Sequence, residues 1–421
     1  MRAVVLAAGK GERLNPLTET RPKHLLPVGG RPLIEWSLEA LKETGIEEAL
    51  IVTHYMGKKL RERLGDGSSL GLSLSYSRQE RMGGTADAFR MAEEFADGED
   101  FLGLYGDLFL DPECVKTVLK AHKPAEVVMG VVQVEEPSQF GIVGVEGSLV
   151  TEIVEKPEPG TEPSNLANAG IYVFPPEIFD SIRDTKLSSR NEYEITDSLG
   201  ALIELGSRVR AVELPGEDWL DVGQPWHLLE ANERALRSLE HSIEGDIEDG
   251  VHMEGPVRVC SGARVRSGTY IEGPTYIGLG SDIGPNCYIR PSTSIGRDAR
   301  IGNACEVKNS IIMDSTHAAH LSYVGDSVLG EGCNLGAGTV TANIRFDKMN
   351  VRMSIKGRRV DSGRRKLGTI MGDNAQTGIN VSLVPGVKVG SGAWIAPGLT
   401  VYEDVPSGEF LRADTPKVRR L

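Results

Sequence analysis

Apolar and polar positions follow two different patterns along the chain, and the change falls near residue 245. Before it, short apolar runs alternate with segments whose apolar residues recur at helical spacing. The run RAVVLAAG predicts a strand buried on both faces, and LIEWSLEALKETG predicts a helix that stops at Gly45. This alternation predicts an α/β, Rossmann-like domain over 1–224, with a mostly parallel sheet between layers of helices. Further strands are predicted in EALIVTHY, LSLSYS, DFLGLYGD, EVVMGVVQV and NAGIYVF.

Residues 225–245 open with Pro and hold apolar residues at helical spacing, which predicts a linker helix. From 246 to 421 the pattern becomes a repeat of six residues. Aliphatic residues or Met recur at this spacing, and each one from 259 to 301 is followed four positions later by a small residue, which predicts a prism of short parallel strands. Cys287 and Cys305 take the small position, which favours packing over chemistry for both. The aliphatic positions are 247, 253, 259, 265, 271, 277, 283, 289, 295, 301 and 307, and again 383, 389, 395 and 401.

Composition narrows the class of protein. The 421 residues are enough for two or three domains, and the net charge of −14 argues against general binding of nucleic acid, whose phosphates require a basic surface. No apolar run reaches the ~20 residues that cross a bilayer. Gly, Lys and Glu follow the N-terminal apolar run too soon for a signal peptide, and the five cysteines form no CxxC pair. A cytoplasmic protein without a membrane partner is expected.

Candidate chemistry begins directly after the first strand, in LAAGKGERLNPLTETRPK. Gly9 and Gly11 let backbone N–H groups approach phosphates, and Arg13 and Lys23 add two positive charges suited to a triphosphate. This stretch resembles the signature loop of sugar-1-phosphate nucleotidylyltransferases. The resemblance implies catalytic roles for both cations, and nucleotide contacts at Leu6, Ala8, Gly9 and Gly11.

Further motifs of that family follow in the same order along the chain. QERMGGTADA resembles the segment that reads the base, and YGDLFL follows a predicted strand. FGIV, EKP and NAGIYVF resemble segments that hold the sugar phosphate. The resemblance implies nucleotide contacts at Gln79, Gly84, Thr85 and Asp107, and sugar-phosphate contacts at Gly141, Glu155, Lys156 and Asn168.

Two carboxylates match the family's Mg²⁺ site. Asp107 ends a predicted strand, at the edge where open α/β sheets bind ligands, and Asp221 lies in WLDVGQP. In the implied reaction a sugar-1-phosphate oxygen attacks the α-phosphorus of a nucleoside triphosphate, and pyrophosphate leaves. The attacking phosphate is already an anion, so the enzyme must align two polyanions and neutralise charge rather than supply a base. Mg²⁺ on these carboxylates, with Arg13 and Lys23, meets that need.

A second candidate site interrupts the repeat after Val307, where HAAHLSYVGD carries two histidines, a tyrosine and an aspartate. The repeat of six resembles the left-handed β-helix of hexapeptide acyltransferases. HLSYVGDS resembles the catalytic segment of bifunctional enzymes that acetylate glucosamine-1-phosphate and then uridylylate the product. The resemblance implies catalytic roles for His320 and Asn343, amino-sugar-phosphate contacts at Arg290, Lys308, Tyr323 and Asn334, and an acetyl-CoA contact at Ala337.

These residue types suit acetyl transfer to an amine. The amine must lose a proton, and histidine, with an ordinary pKa near 6.5, is a suitable general base. Arg290 and Lys308 suit a phosphate, and Asn343 could orient the substrate or stabilise the oxyanion. His317 is the rival base. On an alternating strand it and His320 face opposite ways, and the family motif selects His320, which leaves His317 a surface or partner-facing role.

Several alternatives stay open. The basic insertion 340–368 is either a contact for coenzyme A phosphates or a solvated loop. The stretch between Arg13 and Lys23, and the second carboxylate Asp221, resemble archaeal members and thymidylyltransferases. The choice between UTP and dTTP therefore stays open. The choice between glucosamine and galactosamine stays open as well. The resembled class implies a homotrimer that binds acetyl-CoA between prisms, with the basic segment TPKVRRL near a neighbour or CoA.

The expected protein is therefore an archaeal-type bifunctional enzyme of UDP-N-acetylglucosamine synthesis, which uses Mg²⁺ and acetyl-CoA. One alternative is a monofunctional thymidylyl-, guanylyl- or adenylyltransferase for glucose-1-phosphate with a structural β-helix. Another is a non-catalytic regulatory subunit. The intact set of Arg13, Lys23, Asp107 and Asp221 argues against the last.

Overall fold

The computed structural model describes residues 1–413, so the basic segment 415–421 lies outside the described residues. The chain divides into two compact units, and two short N-terminal segments group with the C-terminal unit, which the sequence pattern does not predict. We call the longer of them, Gly11–Arg21, the signature segment. The first unit comprises Met1–Lys10, Pro22–Leu25 and Pro32–Val222, and the second comprises Gly11–Arg21, Leu26–Arg31 and Gly223–Leu421.

A nine-stranded sheet forms the centre of the first unit. Seven strands run in one direction, and Leu149–Glu155 and Leu166–Phe174 run against them. The predicted mostly parallel sheet is thus a mixed one. One reversal has a local cause, because Leu149–Glu155 forms a hairpin with Gly141–Glu146, and a short hairpin turn permits only antiparallel pairing. The strand order is Ser73–Arg78, Glu48–Thr53, Arg2–Ala7, Phe101–Tyr105, Leu166–Phe174, Val127–Gln133, Val209–Glu213, Leu149–Glu155 and Gly141–Glu146.

Each face of this sheet has its own apolar core. Along Arg2–Ala7, residues 3, 5 and 7 belong to one buried cluster and residues 4 and 6 to another, so successive side chains point to opposite covered faces. The continuous apolar run in the sequence is explained by this double burial. Small sheets of Leu108–Leu110 with Trp219–Asp221, and of Pro27–Val28 with Arg31–Pro32, complete the strands before residue 240.

Eight α-helices are assigned among the described residues. The predicted helix after the signature motif is observed as Leu33–Glu43. The linker helix begins at Pro225 as predicted, but it ends at Arg237, and Ser242–Ile243 is already a strand. The other helices are Gly57–Leu64, Thr85–Arg90, Glu93–Ala96, Pro112–Lys120, Ile178–Asp184 and Ile195–Glu204.

The C-terminal repeat of the second unit consists of three parallel sheets, and each sheet takes every third strand of the chain. The aliphatic positions from 259 to 307 are fully buried, whereas Ile247, at the N-terminal end of the repeat, is 38% exposed. The first sheet contains Ser242–Ile243, Val257–Val259, Thr275–Ile277, Thr293–Ile295, Ile311–Ile312, Val328–Leu329, Ile370–Met371 and Lys388–Val389. The second contains Asp246–Ile247, Arg264–Val265, Asp282–Ile283, Arg300–Asn303, His317–His320, Asn334–Leu335, Gln376–Thr377, Trp394–Ile395 and Phe410–Leu411. The third contains His252–Glu254, Tyr270–Glu272, Tyr288–Ile289, Glu306–Lys308, Tyr323–Gly325, Val340–Thr341, Ser382–Leu383 and Thr400–Val401.

The small residues of the repeat lie in its core, and the insertion 340–368 forms a hairpin. Cys287 and Cys305 are 2% exposed and lie in the apolar core, and none of the five cysteines forms a disulfide in the described chain. The insertion contains an antiparallel hairpin of Arg352–Ile355 with Arg358–Asp361. Within residues 1–413, no helix combines the length and apolar character needed to cross a membrane.

Candidate active sites

Strand Arg2–Ala7 leads into the first candidate site. Leu6 and Ala8, at its carboxyl end, are 8% and 9% exposed. Gly9 lies beside the Lys23 side chain, since a Cβ added to Gly9 would be 3.4 Å from Cε of Lys23, an ordinary van der Waals distance. The strand end therefore presents backbone and one cation at the edge where open α/β sheets bind ligands.

Gly11 and Arg13 lie in the signature segment of the second unit. Gly11 has φ 69°, the left-handed conformation that favours glycine, and the Arg13 side chain is exposed on a single 3-10 turn. The end of the segment is held inside its own unit, because the Arg21 guanidinium pairs with Asp373 and lies 2.8 Å from Glu331 Oε2. Arg13 thus belongs to a segment anchored to the C-terminal repeat.

Of the two predicted metal ligands in the first unit, Asp221 ends a short strand, and Asp107 lies in the turn directly before the partner of that strand. Asp107 follows Phe101–Tyr105 and precedes Leu108, which is the antiparallel partner of Asp221. The backbone N–H of Val222 donates to the carbonyl oxygen of Asp107 at 3.1 Å. The backbones of two residues that are far apart in the sequence are therefore close together in the fold, and their role as metal ligands stays a prediction.

Asp107 also forms an ion pair with Lys23, and its side chain is only 13% exposed. Burial opposes ionisation of this carboxyl, but the Lys23 ammonium, with a smaller effect of His24, holds the pKa of Asp107 below its ordinary value. Burial, with the nearby Lys23 charge, lowers the pKa of His24 to about 3, so its ring is neutral near pH 7. Asp107 is consequently an anion available as a ligand.

The donor set fits Mg²⁺ that arrives with a substrate. Mg²⁺ keeps several waters and is bound by one or two carboxylates plus substrate phosphates rather than by a complete protein cage. Asp107 and Asp221 supply two such carboxylates, one directly before a short strand and one on the partner of that strand. Among the described residues there is no group of three or more His, Cys, Asp or Glu side chains that could enclose a metal. The arrangement is thus suited to a shared metal and unsuited to a closed structural one.

The predicted base-reading segment is tightly packed. Gln79 is 2% exposed, and its Nε2 donates to Oδ2 of Asp87 at 2.6 Å. Thr85 Oγ1 accepts from the backbone N–H of Ile195 at 2.9 Å, and Gly84 has φ 101°, a conformation open to glycine. The side chains of Gln79 and Thr85 are therefore bonded within the protein, and nucleotide contacts in this segment stay a prediction.

The four predicted sugar-phosphate residues converge in the first unit. A Cβ added to Gly141 would lie 2.8 Å from Oε2 of Glu155 and 3.8 Å from Cβ of Asn168. Lys156 Nζ lies 3.7 Å from Oε1 of Glu155, and Asn168 Oδ1 accepts from Tyr172 Oη at 2.7 Å. The missing side chain at Gly141 thus lets the Glu155 carboxylate lie close to the backbone, next to an amide and a cation.

Arg190 belongs to this cluster, although no motif in the sequence points to it. Its guanidinium lies 3.0 Å from Oε1 of Glu155 and 2.6 Å from Oε1 of Glu194. Burial raises the pKa of Glu155, and the Arg190 charge opposes that rise. The one available signal is an isolated arginine in the polar stretch SSRNEYE before helix Ile195–Glu204. Arg190 therefore orients Glu155 and helps to keep it ionised.

Replacing Arg190 by Ala should raise KM for the sugar-1-phosphate by at least about 10-fold, because the partly buried Glu155 carboxylate loses a charge-assisted partner. Steady-state kinetics of pyrophosphate release measure this effect. Arg183→Ala is the matched control, since Arg183 forms similar ion pairs with Glu93 and Asp180 on the exposed surface. An unchanged KM in Arg190→Ala would show that the cluster does not contact the sugar phosphate.

The second unit brings four side chains of the second candidate site together. Lys308 Nζ and Asn343 Nδ2 donate to the same oxygen, Oδ2 of Asp326, at 3.2 and 2.6 Å. Asn343 Nδ2 also donates to Tyr323 Oη at 3.1 Å. A Cβ on Gly325 would lie 2.8 Å from this Nδ2, so only glycine leaves the amide its place. Three predicted site residues therefore meet around Asp326, which is not itself among the residues predicted from the sequence.

Arg290 directly follows strand Tyr288–Ile289, which pairs with the strand that contains Lys308. Ile289 pairs with Val307, which sets Arg290 in line with Lys308 one turn of the repeat further on. The Arg290 guanidinium lies 3.0 Å from Oε1 of Glu306. Two cations in register, each with a carboxylate partner, form a row that an anionic ligand could bridge.

Both histidines of the interrupted repeat are exposed, so the prediction that they face opposite ways is wrong. His317 pairs with Arg300 and Asn334, and its neighbour Ala318 is fully buried. His320 ends the strand, and Leu321 follows with φ 50°. Strand alternation stops at this turn, which leaves His320 outward as well. Exposure alone thus does not choose between the two bases.

Asn334 and Ala337 lie on the next turn of the repeat. Asn334 is in register with His317 rather than with His320. The backbone N–H of Gly338, directly after Ala337, donates to the carbonyl oxygen of His320 at 3.2 Å. The structure therefore sets Ala337 beside His320, and Asn334 beside the other histidine. Their assignments to the amino-sugar phosphate and acetyl-CoA stay predictions.

Comparison with known proteins first gives the class. Residues 2–238 match the family model described as nucleotidyl transferase, and residues 271–365 match the model described as GMPPB C-terminal domain. A solved structure of UDP-glucose pyrophosphorylase bound to UDP-glucose is similar at 29% identity, with a TM-score of 0.51, over 56% of this chain and 99% of that chain. The chain is thus a nucleotidyl transferase with a Rossmann-like domain.

Full-length relatives define the particular family. The bifunctional protein GlmU of Methanocaldococcus jannaschii is 41% identical, over 98% of this chain and 97% of its own length. The bifunctional sugar-1-phosphate nucleotidylyltransferase/acetyltransferase of Sulfurisphaera tokodaii is 42% identical, over 98% of this chain and its entire length. The chain belongs to this family of bifunctional transferases. The predicted family and its nucleotidylyl- and acetyltransferase activities are confirmed.

Proposed function

We propose that the protein makes UDP-N-acetylglucosamine in two steps. It acetylates glucosamine-1-phosphate with acetyl-CoA, and it then transfers a uridylyl group from UTP with release of pyrophosphate. The observation that carries this proposal is that each reaction has its own cluster of suitable residues, around Asp107 in the first unit and around Asp326 in the second. We assign nucleotidyl transfer to residues 1–224, linkage to 225–245 and acetyl transfer to 246–421.

In uridylyl transfer, the chain's own task is to hold two polyanions in line. Asp107 and Asp221 hold Mg²⁺, which when bound neutralises charge on the phosphates. Lys23 and Arg13 supply further positive charge, and Leu6, Ala8, Gly9 and Gly11 contact the nucleotide. Gln79, Gly84 and Thr85 form the base-reading segment. Gly141, Glu155, Lys156 and Asn168, with Arg190, hold the sugar phosphate.

In acetyl transfer, the amine nitrogen attacks the thioester carbon of acetyl-CoA. His320 accepts the proton that the amine loses, and the CoA thiolate leaves when the tetrahedral intermediate collapses. Arg290 and Lys308 bind the phosphate of the amino sugar, with Tyr323 and Asn334 at the sugar and Ala337 at acetyl-CoA. The convergence of Lys308, Tyr323 and Asn343 in one cluster supports this assignment.

We further propose that the three parallel sheets form a left-handed β-helix. The arrangement in which each sheet takes every third strand supports a helical path of the chain. The exposed residues Trp394 and Phe410 at its C-terminal end are in edge-to-face contact, and they remain 54% exposed in one chain. Apolar surface of this kind favours association with further copies.

Association should yield a homotrimer. Sedimentation equilibrium at micromolar protein is expected to give three times the mass of one chain, 45.5 kDa. A monomer under these conditions would contradict the proposal, and it would remove the expected binding place of acetyl-CoA between neighbouring chains.

A substrate panel tests the proposed reactions. Four nucleoside triphosphates are combined with glucose-, glucosamine-, galactosamine- and N-acetylglucosamine-1-phosphate, with and without acetyl-CoA. We expect CoA thiol release with glucosamine-1-phosphate and pyrophosphate release with UTP and N-acetylglucosamine-1-phosphate. A preference for dTTP or for galactosamine-1-phosphate would change the substrate assignment, and no thiol release with either amino sugar would exclude the acetyl-transfer step.

A further inference from the structure

Asp326 is the centre of a hydrogen-bonded cluster that the proposed reaction does not explain by itself. Its side chain is 3% exposed, which is unusual for a carboxylate unless it is paired. Oδ2 accepts from Lys308 and Asn343, and Oδ1 accepts from Asn309 Nδ2 at 2.9 Å. One buried carboxylate therefore connects two predicted site residues.

The contacts of Asn343 fix which end of its amide is hydrogen-bonded within the protein. Nδ2 carries two hydrogens, and both are donated, one to Asp326 and one to Tyr323 Oη. Turning the amide over would set its oxygen against the Asp326 carboxylate, acceptor against acceptor. Among the described residues no hydrogen bond is made to Asn343 Oδ1. The free group of Asn343 is therefore an acceptor.

An acceptor suits one of the two roles open to Asn343 and not the other. A developing oxyanion needs hydrogen-bond donors, and both donors of the Asn343 side chain are already used. The N–H of an amine, in contrast, needs an acceptor that directs its lone pair toward the thioester carbon. The geometry therefore favours contact with the nucleophile.

Asp326 is itself held from a second direction. Asn309 Nδ2 donates to Oε1 of Glu233 at 2.9 Å as well as to Asp326, and Arg364 donates to the same Glu233 oxygen at 2.5 Å. Glu233 lies on the linker helix, and Arg364 lies in the basic insertion. Three separate segments of the second unit thus keep the carboxylate in one position.

We propose that Asp326 is a positioning residue for acetyl transfer, which fixes the Asn343 amide so that its oxygen accepts a hydrogen bond from the substrate amine. The inference rests on the proposed acetylation of an amino-sugar phosphate. Asp326 acts through Asn343 and Lys308, and it does not itself take part in the chemistry.

Asp326→Asn tests this inference in the full-length protein, with glucosamine-1-phosphate and acetyl-CoA as substrates and a thiol reagent to detect CoA. Without the carboxylate, the amide of Asn343 is no longer held in one orientation, and kcat should fall by about 10- to 100-fold. KM for acetyl-CoA should change by less than about 3-fold, because in this proposal neither Asp326 nor Asn343 contacts that substrate. Asp282→Asn is the matched control, because Asp282 pairs with Arg266 and Arg300 elsewhere in the repeat.

An exchange of the two side chains separates positioning from a merely structural role. Asn343→Asp alone brings two carboxylates together and should lose most activity. Combining it with Asp326→Asn restores one amide and one carboxylate, and the carboxylate at position 343 still offers an acceptor to the amine. We expect the double variant to exceed Asn343→Asp by at least about 10-fold in kcat, which is a coupling that independent sites do not show.

Three outcomes would overturn the inference. The first is a kcat for Asp326→Asn within 2-fold of wild type, which is roughly the spread of neutral changes. The others are a double variant that is no more active than Asn343→Asp, and a loss in Asp282→Asn equal to that in Asp326→Asn. If Asp326→Asn does not fold, the double variant, which keeps the same groups, carries the test. Absence of thiol release in the wild-type protein would instead refute the proposed acetyl transfer. These results are distinguishable because wild type and variants are assayed side by side.

Discussion

Replacing Asp107 by Ala is expected to abolish formation of a nucleotide sugar while acetyl transfer continues. Asp107 directly precedes the strand that pairs with Asp221, the two carboxylates fit Mg²⁺, and Asp107 also forms an ion pair with Lys23. Its removal takes away a proposed metal ligand and a partner of a cation, so the loss of pyrophosphate release should reach at least ~10³-fold. The measurement is pyrophosphate release from UTP and N-acetylglucosamine-1-phosphate at saturating Mg²⁺.

Two further variants show whether the loss is specific. Asp107→Asn keeps the size of the side chain and should also be inactive, because a neutral amide is a poor Mg²⁺ ligand. Asp180→Ala removes an exposed carboxylate of the same unit, which pairs with Arg183, and should leave the rate unchanged. Full activity in purified Asp107→Ala would refute the metal assignment.

His320→Ala should reduce release of CoA thiol from acetyl-CoA and glucosamine-1-phosphate by at least ~10²-fold, if the imidazole is the general base. Uridylyl transfer to N-acetylglucosamine-1-phosphate should be unaffected, because its residues belong to other segments of the chain.

His317→Ala is the matched control for this histidine. Both side chains are exposed on the same strand, so neither substitution opens a cavity in the core. We expect less than a few-fold change in either reaction. If both variants acetylate normally, the segment is scaffold and the C-terminal repeat is structural. If only His317→Ala is inactive, the alignment with the family motif is displaced by three residues.

The sequence predicted regular structure best where a short period governs it. A spacing of six residues places every aliphatic side chain on the inside of one strand after another, and nine successive positions from Val259 to Val307 are fully buried. Alternate burial along Arg2–Ala7 follows in the same way from a continuous apolar run. Such patterns act through neighbours along the chain, so no tertiary information is needed to recognise them.

Candidate site residues were predictable where a motif defined them, but their partners were not. The motifs indicated Asp107, Asp221 and Glu155, and the fold places Asp221 on the partner of the strand that directly follows Asp107. Arg190, which contacts Glu155, carries no motif of its own. Asp326 stands in the quoted segment HAAHLSYVGD, yet its importance depends on contacts with Lys308 and Asn343 from other turns of the repeat. A contact between distant residues leaves no period in the sequence.

The sequence by itself determined the family, the α/β class of the first domain and the parallel strands of the repeat, and it predicted those candidate site residues that a motif defines. Only the tertiary structure decided that two strands of the first sheet are reversed, that the signature segment groups with the C-terminal repeat, and that His320 faces outward. It also decided the orientation of the Asn343 amide. The physical reason is that propensity and periodicity act over a few residues, whereas strand direction, segment docking and buried hydrogen bonds depend on groups that meet only after the chain has folded.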